Sequence, residues 1–235
     1  MEEQHEKYFF DLSTFEHAEI FATAQDVWIA ISKISSYLKQ QHLLGKIHVD
    51  IPDGAFLINP ELISIGEGTI VEPGAYIAGP AIIGKNCRIR QGAYIRGNLI
   101  TGDGCVIGHT SEVKNSIFLN NSCAAHFAYI GDSILGNRVN LGAGTICANL
   151  RLDQNSIKLH IMGRVCQTGL RKFGSIIGDN TQIGCNSVIN PGTLIGKDVL
   201  THPCLNLGGF IASNSLVQTP HKPTISIRNL KKTNF

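Results

Sequence analysis

From Ile65 the chain repeats every six residues, and a period of six leaves few folds open: "IGEGTI VEPGAY IAGPAI IGKNCR IRQGAY IRGNLI TGDGCV IGHTSE VKNS". The first position reads Ile65, Val71, Ile77, Ile83, Ile89, Ile95, Thr101, Ile107 and Val113, so only Thr101 is not aliphatic. The fifth position is small or aliphatic, from Thr69 and Ala75 to Cys105 and Ser111. The fourth position reads Gly68, Gly74, Pro80, Asn86, Gly92, Asn98, Gly104 and Thr110. That column is rich in residues that tolerate positive φ, as a sharp corner requires. The period returns at "IGDNTQIGCNSVINPGTLIGKDVL", with Ile177, Ile183, Ile189 and Ile195 in the first position.

The pattern predicts a mainly β chain wound as a β-solenoid. Each hexad is one short strand and one corner, and three hexads close a triangular coil of 18 residues. The aliphatic first position points inward, and neighbouring coils pair as parallel strands about 4.8 Å apart. Each buried aliphatic side chain contributes up to about 1.5–3 kcal/mol, an upper bound because the unfolded chain already buries some of it. Cys87 and Cys105 lie eighteen residues apart. They therefore stack one coil apart as small fillers, with no metal or redox role.

The first 48 residues lack the period and read as a helical N-terminal cap. Ser13 and Glu16 have capping-box spacing, and Val27, Ile31, Ile34 and Leu38 form an apolar stripe at helical spacing. Helices are predicted near 14–21 and 25–40. A solenoid end needs a cap, so the stripe is assigned to packing. The repeat domain spans 49–211. Its period stumbles between Val113 and Leu135 and breaks for an excursion at 148–175 carrying Arg151, Lys158, Arg164, Arg171 and Lys172. That stretch is either a solvated surface loop or a basic loop suited to an anionic ligand. Residues 212–235 are expected to form a basic C-terminal tail.

Composition removes several function classes. A net charge of +2 implies neither nucleic acid nor an anionic membrane as partner. No apolar run is long enough for a membrane span, and the acidic start "MEEQHEKYFF" is unlike a secretory signal. Seven cysteines, an odd number with no Cys-x-x-Cys pair, read as a reducing cytoplasm.

The residue after each inward aliphatic is usually small. Arg90, Arg96 and Lys114 interrupt that column. Arg96 and Lys114 lie eighteen apart and so share a corner of adjacent coils. Stacked cations repel unless an anion lies between them, which makes a phosphate site concrete. Solvated surface charge is the alternative.

The hexads resemble the left-handed β-helix of hexapeptide-repeat acyltransferases; the handedness comes from that resemblance, since parallel crossovers are normally right-handed. "EVKNS…HFAYIGDS…VNLGAGTI…AN", within 107–149, resembles the acetyltransferase domain of bifunctional N-acetylglucosamine-1-phosphate uridyltransferase/glucosamine-1-phosphate acetyltransferases. The whole chain, with "DLSTF" and "RKFGSIIGDNTQIGCNSVINPGT", is similar to the C-terminal part of sugar-phosphate nucleotidyltransferase-like proteins. No "GxGTRxxP"-like loop for a nucleotide is present in it. The resemblance implies a homotrimer with active sites between neighbours, acetyl-CoA as co-substrate and no metal requirement. Carried over, His126 is the general base, Asn149 orients it or the substrate, and the Ala143 N–H faces the thioester oxygen. Lys114 holds the sugar phosphate, with Tyr129 and Asn140 beside the sugar. The phosphate arginine is Arg96 by spacing or Arg90 by motif.

The chemistry is consistent. Acetyl transfer needs a neutral amine, a base working near neutrality and donors for the tetrahedral oxyanion. An ordinary imidazole titrates near 6.5. The sequence departs from the family where Leu150 replaces a Tyr and Gln91 a Pro, and the longer loop leaves the matching substrate lysine unplaced. The expected function is acetyl-CoA-dependent N-acetylation of an amino-sugar 1-phosphate, glucosamine 1-phosphate first, in the UDP-N-acetylglucosamine pathway. A separate uridyltransferase is a possible partner. The alternative is a non-catalytic or partner-dependent module of a UDP-N-acetylglucosamine pyrophosphorylase-like nucleotidyltransferase. A carbonic anhydrase on this fold would need three histidines from adjacent coils; His109 and His126 supply two.

Overall fold

The computed structural model describes residues 2–22, 24, 26–40, 42 and 44–219. Three eight-stranded parallel sheets form the sides of a prism. The first sheet starts at Phe56–Ile58, the second at Ile63–Ile65 and the third at Ile70–Val71. Consecutive strands occupy consecutive sides, and each pairs with the strand one coil further on, as in Ile65↔Ile83 and Val71↔Ile89. The last strand of the coil is Leu216–Val217, beyond residue 211. The expected tail falls otherwise on residues 220–235, outside the described residues.

The hexad positions behave as their residue types require. The inward first position is buried from Ile65 to Ile195. The corner column turns through positive φ at Gly68, Gly74, Asn86, Gly92, Asn98, Gly104 and Thr110. Cys87 and Cys105 are both buried and stack through the Arg88↔Val106 register. Their thiols donate to the Gly102 and Leu119 carbonyls at 3.3 and 3.0 Å.

Between Val113 and Leu135 the coil does not stumble. Val113, Phe118, Ala124, Ile130 and Leu135 all face the core. Two of those steps span five residues instead of six, at Asn115 and at Asp132. The register therefore shifts by seventeen, as in Glu112↔Tyr129 and Ile117↔Ile134. Both shortened corners lie on one edge of the prism, between the first and second sheets.

The N-terminal segment does not close an end of the solenoid. It lies along its length. The outward side chains of the second sheet, Ile82, Ile100, Ile117, Ile134, Ile176 and Leu194, form a second core with Phe9, Trp28, Ile34 and Leu38. An open sheet face so apolar must be covered, and helix Ile29–Gln40 covers it. The first predicted helix is only a short 3-10 turn, Ala18–Ile20. No capping box forms, because the Ser13 N–H donates to Asp11 Oδ1 at 3.0 Å. Residues 8–17 instead run down the edge between the second and third sheets, antiparallel to the coil's advance. Tyr8 Oη accepts from the Ser213 N–H, Asp179 Oδ2 from the Asp11 N–H, and Thr14 O from Asn120 Nδ2.

The excursion leaves and rejoins one edge through the antiparallel bridge Leu150↔Lys172. It folds into a hairpin, Lys158–Ile161 with Arg164–Gln167. Leu159 and Ile161 are buried against the second sheet while Lys158 and His160 alternate outward. This is a docked element with one solvated face, and neither sequence reading of it as a loop describes that.

Candidate functional site

The residues singled out in the sequence fall on two different edges of the prism. The edge between the first and second sheets carries Arg96, Lys114 and Asn149. The edge between the third and first sheets carries Arg90, His126 and Ala143.

At the first of these edges the two shortened corners put Asn115, Asp132 and Asn149 in one vertical column. Lys114↔Gly131 and Ile130↔Cys147 fix that register. Asp132, 5% exposed, stands in the middle. Its Oδ1 accepts from Asn115 Nδ2 at 2.8 Å. Its Oδ2 accepts from Asn149 Nδ2 and from Lys114 Nζ, the latter at 2.9 Å. Asn149 Oδ1 in turn accepts from Tyr129 Oη at 3.4 Å. Burial, with the charges of Glu112 and Asp132, pushes the Tyr129 phenol up, which keeps it a donor. Gly131 makes room for this group: a Cβ there would meet Asn149 Nδ2 and Tyr129 Oη at 2.7 Å.

Arg96 and Lys114 do stack on this edge, through Val113↔Ile95. Each already holds a carboxylate. Arg96 pairs with Glu112 at 2.7 Å, and Lys114 with Asp132. The Glu112 bond raises the Arg96 guanidinium further above its ordinary value. The anion expected between the two cations is thus supplied by the chain itself. Asp132 was missed in the sequence, yet its signal was there. Asn115–Ser116 and Asp132–Ser133 are the same corner seventeen residues apart.

At the other edge, the register Cys123↔Asn140 places Ala143 one coil above His126, as the Gly144 N–H to His126 O bond at 3.1 Å confirms. His109 stands one coil below, His126↔His109. Adjacent coils are about 4.8 Å apart. His126 is exposed, and the half-exposed Phe127, at φ 51°, lies against both imidazoles. The Ala143 N–H donates to no group among the described residues, while its carbonyl accepts from the Asn186 N–H. An N–H without a partner one coil above an exposed imidazole is an arrangement that can serve as an oxyanion donor beside a base. Arg90 flanks this column and contributes positive potential at Cys123. Asn140 lies outward on the third sheet. His109 Nδ1 donates to Gln91 O at 3.1 Å, which fixes its tautomer.

Two arginines of the excursion find partners within it. Arg151 pairs with Asp153 at 2.7 Å and Arg171 donates to Gln154 at 3.5 Å. Among the described residues no group of three histidine, cysteine or acidic side chains could hold a metal ion. None of the described helices is long and apolar enough to cross a membrane.

A family model described as the GMPPB C-terminal domain matches residues 77–171. The chain is 39% identical over 85 residues to a bifunctional sugar-1-phosphate nucleotidylyltransferase/acetyltransferase of Sulfurisphaera tokodaii, covering 36% of this chain and 21% of that protein. It is 38% identical over 99 residues to the bifunctional protein GlmU of Methanococcus maripaludis, covering 42% and 24%. The GlmU of a Picosynechococcus strain matches over 135 residues at 35%, covering 57% and 22%. The chain thus spans about a fifth to a quarter of these curated relatives. They bear out the resemblance to hexapeptide-repeat acetyltransferase domains. Among solved structures, an Arabidopsis UDP-N-acetylglucosamine acyltransferase aligns with 12% identity and a TM-score of 0.44, covering 74% of this chain and 69% of that one. AntD, an N-acyltransferase from Bacillus cereus, aligns with 15% identity and a TM-score of 0.27, covering 83% and 89%. At that level of similarity neither speaks to activity.

Proposed function

We propose that the chain is an acyltransferase that moves an acetyl group from acetyl-CoA to the amine of an amino-sugar 1-phosphate, glucosamine 1-phosphate first among the candidates. The observation that carries this reading is the pairing of His126 with the free Ala143 N–H one coil above it. The acceptor's amine attacks the thioester carbonyl carbon, and His126 takes the amine proton. The oxyanion that forms meets the Ala143 N–H. Collapse of the adduct breaks the carbon–sulfur bond, and the departing thiolate takes the proton back from His126. A base of this kind is worth about 10²–10⁴-fold and an oxyanion donor about 10²–10³-fold. Asn149, Tyr129 and Lys114 would hold the sugar and its phosphate, with Arg96 or Arg90 as the second phosphate cation and Asn140 beside the sugar. No step calls for a metal.

His126 and Asn149 lie at opposite ends of the strand face Tyr129–Gly131. One copy does not bring base and sugar-binding cluster together, so the reading requires neighbouring copies side by side. A homotrimer meets that requirement. The place in a UDP-N-acetylglucosamine route, the cytoplasmic setting, the domain limits and a separate uridyltransferase belong to the same proposal.

One observation favours the second reading, a module that has kept the solenoid without turnover. Arg96 and Lys114 are both neutralised from within the chain. One assay separates the two: thiol release from acetyl-CoA with glucosamine 1-phosphate, wild type against His126→Ala. The acyltransferase reading expects release that falls about 10²–10⁴-fold in the variant. No release by the wild type removes the substrate assignment, and equal release by both removes His126 from the mechanism.

A further inference from the structure

One coil below His126, on the same edge, stands His109. The acyl-transfer scheme gives it no task. It is half-buried, and its Nδ1 lies 3.1 Å from Gln91 O. A carbonyl only accepts, so Nδ1 carries the proton and the lone pair of the neutral ring is on Nε2. Gln91 belongs to the coil below His109, through Ile89↔Ile107. The two nitrogens of an imidazole point to nearly opposite sides of the ring. With Nδ1 turned down to Gln91, Nε2 is turned up, toward the coil that carries His126. His109 Nε2 has no hydrogen-bond partner among the described residues, and neither has the exposed His126 ring.

Two unfilled acceptors one coil apart suit one kind of donor. A neutral amine carries two N–H groups on a single tetrahedral nitrogen. Two N–H···N bonds of about 2.9 Å from such a nitrogen end about 4.7 Å apart. The two imidazoles start from backbone positions about 4.8 Å apart. A hydroxyl has one O–H and fills only one of the two acceptors. The Phe127 ring lies against both imidazoles, with centroids 5.2 Å from His109 and 6.5 Å from His126. An acceptor left without a donor in a closed site is costly, so the pair favours an amine over its hydroxyl analogue.

We propose that His109 is the residue that makes the acceptor site select an amine over a hydroxyl. His126 takes one proton of the attacking amine. His109 Nε2 accepts a hydrogen bond from the other N–H, which aims the nitrogen lone pair at the thioester carbon. That second proton stays on the nitrogen and becomes the amide N–H of the product. The assignment rests on the acyltransferase reading above and gives the choice of acceptor group a cause in one side chain.

The test is steady-state thiol release from acetyl-CoA by the full chain. Glucosamine 1-phosphate is the substrate, and glucose 1-phosphate, with a hydroxyl in place of the amine, is the competitive inhibitor. His109→Ala is expected to lower kcat/KM for glucosamine 1-phosphate about tenfold or more. The KM for acetyl-CoA and the inhibition constant of glucose 1-phosphate are expected to stay within about twofold, since His126 alone meets the single O–H. His109→Gln keeps a donor for Gln91 O and offers an amide oxygen in place of Nε2, so it is expected to recover most of the loss. Equal losses for the amine and the hydroxyl analogue, an unchanged kcat/KM, or His109→Gln as impaired as His109→Ala overturns the assignment, while release by the wild type leaves the acyltransferase reading standing. No release by the wild type removes that reading and this assignment with it.

Discussion

Asp132 is the residue on which the proposed sugar-binding cluster turns, because four side chains depend on one carboxylate directly or through Asn149. Gly131 is its silent neighbour. Gly131→Ala would drive a methyl into Asn149 and Tyr129 without touching the edge that carries His126. We expect the KM for the sugar phosphate to rise about tenfold or more, with the KM for acetyl-CoA within about twofold, in steady-state thiol release. A rise shared by both substrates would place Gly131 in the scaffold only. The motif residues were named before the structure from the family resemblance, and the six-residue period by itself placed only Arg96 and Lys114 on a shared corner. Their grouping was not, since Asp132 holds Lys114 and Asn149 through hydrogen bonds that no spacing rule contains.

His17 gives the molecule a pH dependence whose sign is fixed by its burial. Burial lowers the imidazole below its ordinary value, against small opposing contributions from Glu16, Glu19 and Asp103. The unfolded chain titrates near 6.5. Between the lowered folded value and about 6.5, the unfolded state binds more protons, so stability rises with pH. The contribution is complete above that window and is lost as pH falls through it. Melting temperatures from about pH 7.5 to about pH 5 are expected to fall further for the wild type than for His17→Gln. Parallel curves would show that His17 takes up its proton without penalty.

At the scale of elements, the segment 8–17 acts as a strap that ties distant coils together. Asp179 is its main anchor: buried, it accepts from the Asp11 and Asn137 N–H groups, each at 2.7 Å. Asp179→Ala strands both donors. About 1–3 kcal/mol per unsatisfied buried group, for two such groups, predicts a loss of about 2–6 kcal/mol in chemical denaturation, together with faster proteolysis near Asp11. A loss under about 0.5 kcal/mol, the range of neutral surface substitutions, would mean the strap rides on the coil without holding it. An apolar stripe at helical spacing announces that a helix packs but not on what. Val27, Ile31, Ile34 and Leu38 are buried as read, against a sheet face and not a solenoid end. The same blindness applied to the excursion, where the alternation of Ile157, Leu159 and Ile161 was the available sign of a half-buried strand. The shortened corners at Asn115 and Asp132 looked like a lost period because dropping one residue shifts every later hexad, although the core positions continue.

For the whole molecule, the solenoid separates the two halves of the proposed chemistry by one side of a prism, and assembly has to reunite them. Copies of this chain packed side by side would set the His126 edge of one against the Asn149 edge of the next. The direct test is thiol release from acetyl-CoA by trimers mixed from equal parts of His126→Ala and Asn149→Ala chains, each inactive alone. If every site draws its base from one copy and its sugar-binding column from the neighbour, about a quarter of sites are intact and about a quarter of wild-type release returns. Mixed trimers as inactive as either parent would contradict the account, since sites contained within one chain can never be repaired by mixing.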